Sequence, residues 1–172
     1  MIEIKNLSVT YYSNKDFYKV FTDINLTIPT GSICTLIGPS GSGKSTILKA
    51  LAGIITDFEG SITINNEPLS PTIQTIGFIP QNYGLLPWKN VYENICLGIK
   101  IKNKKNKIDQ NAVKLIMHNL GITGLENRYP NELSGGQQQR VSLARSFLLK
   151  PDLLLMDEPF SALDAITREE IQ

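Results

Sequence analysis

The sequence has no run of about 18 consecutive apolar residues, so we expect no helix that crosses a bilayer. Residues 1–10 lack a positively charged segment followed by an apolar core, so a secretory signal peptide is not expected either. Neither sign of charge is in excess, because 17 lysines and arginines are balanced by 16 aspartates and glutamates. A nearly neutral chain gives no indication of a nucleic-acid-binding surface.

Cysteine and histidine are also scarce. The two cysteines, Cys34 and Cys96, lie far apart in apolar surroundings, which predicts buried free thiols and a reducing, cytoplasmic compartment. The single histidine, His118, lies in a stretch predicted to be helical. The remaining composition is that of an ordinary globular protein, with 41% hydrophobic residues over 172 positions. It predicts one domain, or one domain with a small lobe.

The first part of the chain is predicted to be rich in strands. Apolar and polar residues alternate at residues 2–4 and again at residues 24–28, which is the pattern of a half-buried strand. Residues 60–68, GSITINNEP, are predicted to form a strand that enters a turn at Asn65 and Asn66. A further short strand is predicted over residues 75–80.

The middle of the chain is predicted to be helical. Helices are predicted over residues 91–100, 109–120 and 135–149, with Gly121 as a C-cap of the second. A lysine-rich run at residues 100–107 separates the first two helices. It could grip acidic lipid or nucleic acid, but the absence of interleaved aromatic residues favours a solvated loop.

The most informative stretch is residues 38–45, GPSGSGKS, which fits the pattern G-x-x-x-x-G-K-[ST]. An apolar run at residues 33–37 precedes it and a helical pattern follows, so a strand–loop–helix unit is predicted over residues 32–53. Glycines let the backbone curl until successive N–H groups point at an anion, and the helix adds its positive end. A glycine–serine linker is the alternative, but a linker needs neither the lysine nor the flanking elements.

This loop predicts a nucleotide site. Lys44 provides a positive charge for the β- and γ-phosphates, and the Ser45 hydroxyl is a suitable ligand for Mg²⁺. The residues predicted to surround the nucleotide phosphates are Gly38, Pro39, Ser40, Gly41, Ser42, Gly43, Lys44, Ser45 and Thr46.

A phosphate loop needs a carboxylate for its metal, and residues 153–159, LLLMDEP, offer one. Four apolar residues predict a strand buried on both faces, and Asp157 follows at its carboxyl end, where ligands bind in open α/β sheets. Asp157 is suited to hold Mg²⁺, and Glu158 to polarise the attacking water. A solvated turn is the alternative, and the phosphate loop elsewhere in the chain makes it less attractive.

With LSGGQ at residues 133–137, just before QQRVSLARSFL, the chain resembles the nucleotide-binding subunits of ATP-binding cassette (ABC) transporters. Ser134 and the glycines after it would open a helix and form a second anion-binding N-terminus. The resemblance implies a head-to-tail homodimer, in which the phosphate loop of one subunit and the LSGGQ turn of the other enclose ATP. The residues implied for the partner's nucleotide are Ser134, Gly135, Gly136 and Gln137. An ordinary serine-capped helix start is the alternative.

The resemblance assigns further residues. Gln81 resembles the Q-loop glutamine, which senses Mg²⁺ and the γ-phosphate and lies near the membrane partner. Asp164, in FSALD, resembles the D-loop aspartate that reaches across the dimer. Tyr11 is the better candidate for stacking on adenine, and Tyr12 is the alternative. The segment LLPWKNVYENI, which contains Trp88, resembles the corresponding segment of importers of the nitrate, sulfonate and taurine group. The Trp88 side chain could equally be a hydrophobic plug in the helical lobe.

The family pattern continues beyond Gln172 with a further strand and a switch histidine, so the resemblance implies a C-terminally truncated chain. His118 lies in the helical middle and is not that histidine. The missing strand would lie between the phosphate-loop strand and the acidic strand, and its absence would leave backbone groups unpaired.

The fold expected from the resemblance is α/β: a phosphate-loop NTPase core with an N-terminal antiparallel β lobe and a helical lobe, lacking the C-terminal strands. We expect one ABC ATP-binding domain over residues 1–172, with the helical lobe at about 82–140. The expected function is hydrolysis of MgATP to power import of a small solute through membrane permease subunits, served indirectly by an extracytoplasmic solute-binding protein. The expected location is the cytoplasmic face of the membrane. The alternatives are a catalytically incomplete nucleotide-binding fragment and a soluble, non-transport ABC ATPase.

Overall fold

A computed structural model describes residues 1–12, 16–102 and 108–159 of the chain. Most of the lysine-rich run, the proposed D-loop residue Asp164 and the chain after it lie outside this part. The chain divides into two compact units, Met1–Gln74 and Thr75–Gln172. In the described ranges, every helix is too short or too polar to cross a bilayer.

The first unit is built on a four-stranded antiparallel sheet in the order β2–β1–β3–β4. Its strands are β1 (Ile2–Tyr12), β2 (Phe17–Ile28), β3 (Glu59–Ile64) and β4 (Glu67–Pro68). Asn65 and Asn66 join β3 to β4 and both have positive φ, as a two-residue hairpin turn requires. The predicted antiparallel β lobe and its asparagine turn are confirmed.

One face of this sheet forms a core of aliphatic side chains. Ile2 and Ile4 of β1 lie opposite Ile64 and Ile62 of β3, and all four are buried. The alternation then changes phase, because the ladder is irregular around Asn6, whose φ is +50°. As a result, further buried residues of β1 follow at odd positions, namely Leu7 and Val9.

The predicted strand before the glycine-rich loop is not formed. Residues 32–39 belong to no strand or helix, and Ile33 and Ile37 are 98% and 92% exposed. Cys34, in the same segment, is also exposed, so the expectation of a buried thiol there was wrong. The reason is the same for all three side chains: an apolar run forms a buried strand only where neighbouring strands pair with it. The helix after the loop, α1 (Lys44–Leu51), is present as predicted.

Where the structure describes it, the second unit pairs two parallel strands and carries three helices. The strands are β5 (Ile76–Ile79) and β6 (Leu153–Met156). The helices are α2 (Val91–Lys102), α3 (Gln110–Asn119) and α4 (Gly135–Leu148), with a short 3₁₀ turn at Pro130–Glu132. Each lies within two residues of its predicted bounds. The C-cap of α3 is Leu120 and not Gly121 as predicted, and Gly121, with φ +61°, is the next residue. The β6 strand is less buried than predicted, because only Leu155 is fully covered and β5 is its one neighbour in the described part.

The helices of the second unit enclose their own apolar core. Its buried members are Val91, Ile95, Cys96, Val113, Met117, Ile122, Leu133, Val141 and Ala144. Burial raises the pKa of the Cys96 thiol, as expected for a sulfur that packs as a small apolar group. His118 and Trp88 are both exposed. The alternative that Trp88 is a hydrophobic plug in the helical lobe is therefore wrong.

Candidate nucleotide site

The glycine-rich loop is curled by two residues with positive φ, Gly41 at +79° and Gly43 at +91°. Gly43 is also the N-cap of α1, and in the described part of the chain no side chain caps this helix start. Glycine has no side chain, so the N-cap residue itself supplies no side-chain acceptor to the start of α1. A curled loop followed by the start of a helix is suited to bind an anion.

The Lys44 side chain folds back over the loop. Its ammonium group donates to the carbonyl oxygen of Gly38 at 2.8 Å and to that of Pro39 at 2.7 Å. It also contacts Ser42 Oγ at 3.4 Å. The positive charge is thus held at the mouth of the loop by exchangeable backbone acceptors, where a phosphate oxygen can replace them.

The sheet of the first unit supports the loop from β2. A Cβ at Gly43 would lie 2.9 Å from side-chain atoms of both Phe21 and Val20. Only glycine fits at this position, because the space is filled and φ is in the left-handed region. The close approach ties the start of α1 to the β1–β2 ribbon.

In the second unit, the ends of β5 and β6 meet. The two strands are parallel, and Ile79 lies opposite Met156 at their carboxyl ends. The Asp157 N–H donates to the Ile79 carbonyl at 2.9 Å, which extends the ladder by one residue. Residues that follow the two strands are therefore brought to the same edge of the sheet.

At that edge, Gln81 and Glu158 contact each other. The Gln81 side-chain amide donates through Nε2 to Glu158 Oε2 at 2.7 Å. Glu158 has φ +51°, a left-handed conformation that turns its side chain out of the strand direction. From α4, the Gln139 amide donates to the carbonyl of Pro159, the residue after Glu158. The structure thus brings together two residues that the sequence proposed separately.

The LSGGQ segment opens α4 through a capping box. The Gln137 N–H donates to Ser134 Oγ at 3.3 Å, and the Ser134 N–H donates to Gln137 Oε1 at 3.0 Å. Leu133 is buried in the helical core, whereas Ser134 and Gly135 are exposed. The leucine anchors the segment and the polar residues after it face outward, with the Ser134 hydroxyl hydrogen available for donation.

Sequence reasoning missed two α4 residues that hold the turn after Gln81. Arg145 donates to the carbonyl oxygens of Gly84 and Tyr83, both at 2.7 Å. The Ser142 hydroxyl donates to the same Tyr83 carbonyl at 2.8 Å. Tyr83 is buried and has φ +61°, so this turn is tightly constrained. Burial lowers the pKa of the Arg145 guanidinium, because desolvation disfavours its charged form.

Asn94 was also missed. It is fully buried in α2, and its amide accepts from the Leu86 N–H at 2.8 Å. It donates to the carbonyls of Leu86, Lys89 and Asn90. Its partners are all backbone groups of the segment around Trp88, and no sequence motif marks such an interaction.

Three comparisons with known proteins bear on this arrangement. The dimeric structure of the ATP-binding cassette MJ0796 in a post-hydrolysis state, bound to ADP and Pi, superposes with a TM-score of 0.87 at 32% sequence identity. The match covers 99% of this chain and 79% of that chain. The fold is therefore that of an ATP-binding cassette.

A sequence model described as "ABC transporter" matches residues 21–161. The aliphatic sulfonates import ATP-binding protein SsuB of Bacillus anthracis is 42% identical over 171 residues, which are 99% of this chain and 67% of the relative. The sulfate/thiosulfate import ATP-binding protein CysA of Pseudomonas aeruginosa is 39% identical over 178 residues, with 99% and 53% covered. The chain belongs to the ABC transporter family and spans from about half to about two thirds of the length of these two relatives.

Proposed function

We propose that this chain binds MgATP and hydrolyses it as the ATP-binding subunit of an importer. The observation that carries the catalytic part is the Gln81–Glu158 hydrogen bond at the end of β5 and β6. A carboxylate oriented by a glutamine at a strand end is suited to polarise a water molecule. Glu158 is the proposed general base, and Gln81 positions it and the water.

The phosphate groups are proposed to bind the curled loop. Lys44 exchanges its loop carbonyls for β- and γ-phosphate oxygens, and the N-terminal end of α1 adds the positive end of its helix dipole. Catalysis then rests on positioning and on neutralising charge at the γ-phosphoryl group. The residues proposed to contact the phosphates are Gly38, Pro39, Ser40, Gly41, Ser42, Gly43, Lys44, Ser45 and Thr46.

The residues proposed for Mg²⁺ fit that ion by their donor chemistry. A serine hydroxyl, a carboxylate and an amide oxygen are the hard ligands that Mg²⁺ takes together with water and phosphate oxygens. They belong to Ser45, Asp157 and Gln81. Because Gln81 uses its nitrogen toward Glu158, its amide oxygen is available as an acceptor. When bound, the ion neutralises charge on the phosphates.

Tyr11 is proposed to stack on the adenine. It lies on the same face of the β1–β2 ribbon as Val9 and Phe21, and Phe21 contacts the Gly43 position of the phosphate loop. Tyr12 lies on the opposite face, where it lines a shallow depression with Phe17 and Lys19. The register therefore favours Tyr11 over Tyr12.

We further propose a head-to-tail homodimer. Ser134, Gly135, Gly136 and Gln137 would act on the nucleotide bound by the partner copy, and Asp164 would reach across the interface. The exposed polar face of the capping box and the dimeric state of the MJ0796 cassette support this arrangement. Closing the dimer would exclude water from the reacting phosphate.

The relatives support a proposal for the transport partners. SsuB and CysA are import ATP-binding proteins for sulfonates and for sulfate or thiosulfate, so the proposed solute is a small sulfonate such as taurine, or a small oxyanion such as sulfate or nitrate. Permease subunits would dock near Gln81, at the cytoplasmic face of the membrane, and a solute-binding protein would deliver the solute outside. No nucleic acid is a proposed partner.

The experiment that tests this function is MgATP turnover by the purified protein, compared with its Glu158→Gln variant. Glu67, an exposed carboxylate of β4, provides the matched control as Glu67→Gln. We expect Glu158→Gln to lower turnover at least 100-fold while ATP still binds, and Glu67→Gln to leave turnover unchanged. Turnover that survives in Glu158→Gln would refute the assignment of the base.

A further inference from the structure

The tip of the β1–β2 ribbon exposes four aromatic side chains. Tyr11, Tyr12, Phe17 and Tyr18 have exposed fractions between 46% and 76%. The ladder between β1 and β3 ends at Ser8, whereas the ladder between β1 and β2 continues to Tyr12. The tip therefore extends past the four-stranded sheet as a two-stranded ribbon, and packing within the first unit's core does not account for its rings.

The register assigns the four rings to two faces. Tyr11 lies directly opposite Tyr18, and Tyr12 lies directly opposite Phe17. Directly opposed residues share a face, with Cβ atoms about 4.5–5.5 Å apart, and successive residues alternate. One face thus carries the two tyrosines Tyr11 and Tyr18, and the other carries Tyr12 and Phe17.

The face with Tyr11 and Tyr18 leads to the phosphate loop. The register is irregular between the Val9–Phe21 and Thr10–Lys19 pairs, which leaves Val20 as an extra residue of β2. Val20 and Phe21 both approach the Gly43 position at the start of α1. Tyr18 is two residues from Val20 along the strand, about 7 Å away. A ribose and base extending from phosphates in the loop can therefore run along this face.

We propose that Tyr18 is a base-specificity residue that forms, together with Tyr11, a two-ring surface for the purine of the nucleotide. The proposal rests on the nucleotide site of the proposed function and extends it. Two neighbouring tyrosine rings cover the fused rings of a purine, whereas the single ring of a pyrimidine is covered by Tyr11 alone. Base–aromatic contact of this kind strengthens binding without reading hydrogen bonds on the base edge.

The experiment measures equilibrium binding of ATP, CTP and inorganic tripolyphosphate, each with Mg²⁺, by calorimetry. It compares the unmodified protein with Tyr18→Ala and with the control Phe17→Ala, which removes an equally exposed ring from the other face. We expect Tyr18→Ala to weaken ATP binding about 5- to 10-fold and to change CTP and tripolyphosphate binding less than about 2-fold. Phe17→Ala should change none of the three, and Tyr18→Phe should retain ATP affinity.

Two results would overturn the proposal. ATP affinity that is unchanged in Tyr18→Ala would show that the ring makes no contact with the base. An equal loss for all three ligands would show that Tyr18 acts on the loop and not on the base. Failure of the proposed nucleotide site itself would give a different result. The unmodified protein would then bind none of the three ligands, and Lys44→Ala would not differ from the unmodified protein.

Discussion

Arg145 is a half-buried cation whose hydrogen bonds go to two backbone carbonyls, Tyr83 and Gly84, and to the hydroxyl of Ser142. These bonds fix the turn that follows Gln81. Because Gln81 in turn orients Glu158, a side chain near the end of α4 contributes to the geometry of the proposed catalytic pair. Arg145 is in this sense a positioning residue.

Replacing Arg145 by methionine tests this role. Arg145→Met keeps most of the aliphatic stem but leaves the Tyr83 and Gly84 carbonyls without their charged donor, so we expect the free energy of unfolding to fall by about 2 kcal/mol. The measurement is urea denaturation, with MgATP turnover alongside. Arg140→Met, an exposed neighbour on the same helix, is the control and should stay within about 0.5 kcal/mol.

Turnover distinguishes positioning from stability alone. Below the unfolding transition, Arg145→Met should lower kcat several-fold with little change in KM, because the turn affects the water and not the phosphate loop. Arg145→Lys should recover only part of kcat, since an ammonium cannot hold the two carbonyls in the fixed geometry of a guanidinium. An Arg145→Met protein with unchanged kcat would contradict the positioning role.

Residues of this kind could not be predicted from the sequence. Lys44 and Glu158 were found because a motif or a strand end marks them, and their chemistry is tied to residue type. Arg145, Ser142 and Asn94 instead bond to backbone carbonyls of a distant turn or of a neighbouring segment. Every residue has a carbonyl, so nothing in the sequence pattern identifies which ones need a donor.

At the scale of one element, the start of α4 combines a structural role with a proposed binding role. The capping box between Ser134 and Gln137 stabilises the helix, and the same serine is proposed to meet a partner's phosphate. The two roles make different demands. An aspartate caps a helix as well as a serine does, but its charge repels a phosphate.

Two substitutions at Ser134 therefore separate the roles. Ser134→Ala should lower the free energy of unfolding by about 1 kcal/mol through loss of the cap, whereas Ser134→Asp should change it by less than about 0.5 kcal/mol. Denaturation measures this part. Ser134→Asp should nevertheless abolish ATP-dependent dimerisation, measured by light scattering. A Ser134→Asp protein that dimerises normally with ATP would show that the LSGGQ turn does not face phosphate.

The segment over residues 32–39 shows that an apolar pattern alone does not specify a strand. Its apolar run predicted a strand as clearly as residues 76–79 did, yet only the latter formed β5, because β6 lies beside it. A pattern along the chain reports which side chains avoid water, but a strand also needs a partner for its backbone groups. Partner strands come from elsewhere in the chain, and local sequence does not contain them. The turn at Asn65 and Asn66 was predictable because its conformation depends on those two residues alone.

Thiol labelling tests the exposure of this segment. We expect iodoacetamide to modify Cys34 in the native protein and to leave Cys96 unmodified until denaturant is added. Cys96 is protected by burial, which also raises the pKa of its thiol and so lowers the fraction of reactive thiolate. Peptide mass spectrometry identifies the modified residue. Native labelling of Cys96 before Cys34 would contradict the described burial.

At the scale of the whole molecule, the proposed machinery is divided between the two units. The first unit carries the phosphate loop and the tyrosine face, and the second carries the Gln81–Glu158 pair and the LSGGQ helix start. Each chain is thus proposed to supply a phosphate-binding loop and, separately, a helix start suited to a second phosphate contact. A head-to-tail dimer would use both in each of two equivalent sites.

The most direct test of this account is complementation between two defective copies. Lys44→Ala removes the phosphate-loop charge and Ser134→Asp blocks the LSGGQ turn, each in a Glu158→Gln background that retains bound ATP. Alone, either variant should stay monomeric with ATP, because both of its sites are damaged. Mixed together, they should form an ATP-dependent heterodimer with one intact site, measured by sedimentation. A mixture that remains monomeric, while the Glu158→Gln parent dimerises, would contradict the shared site.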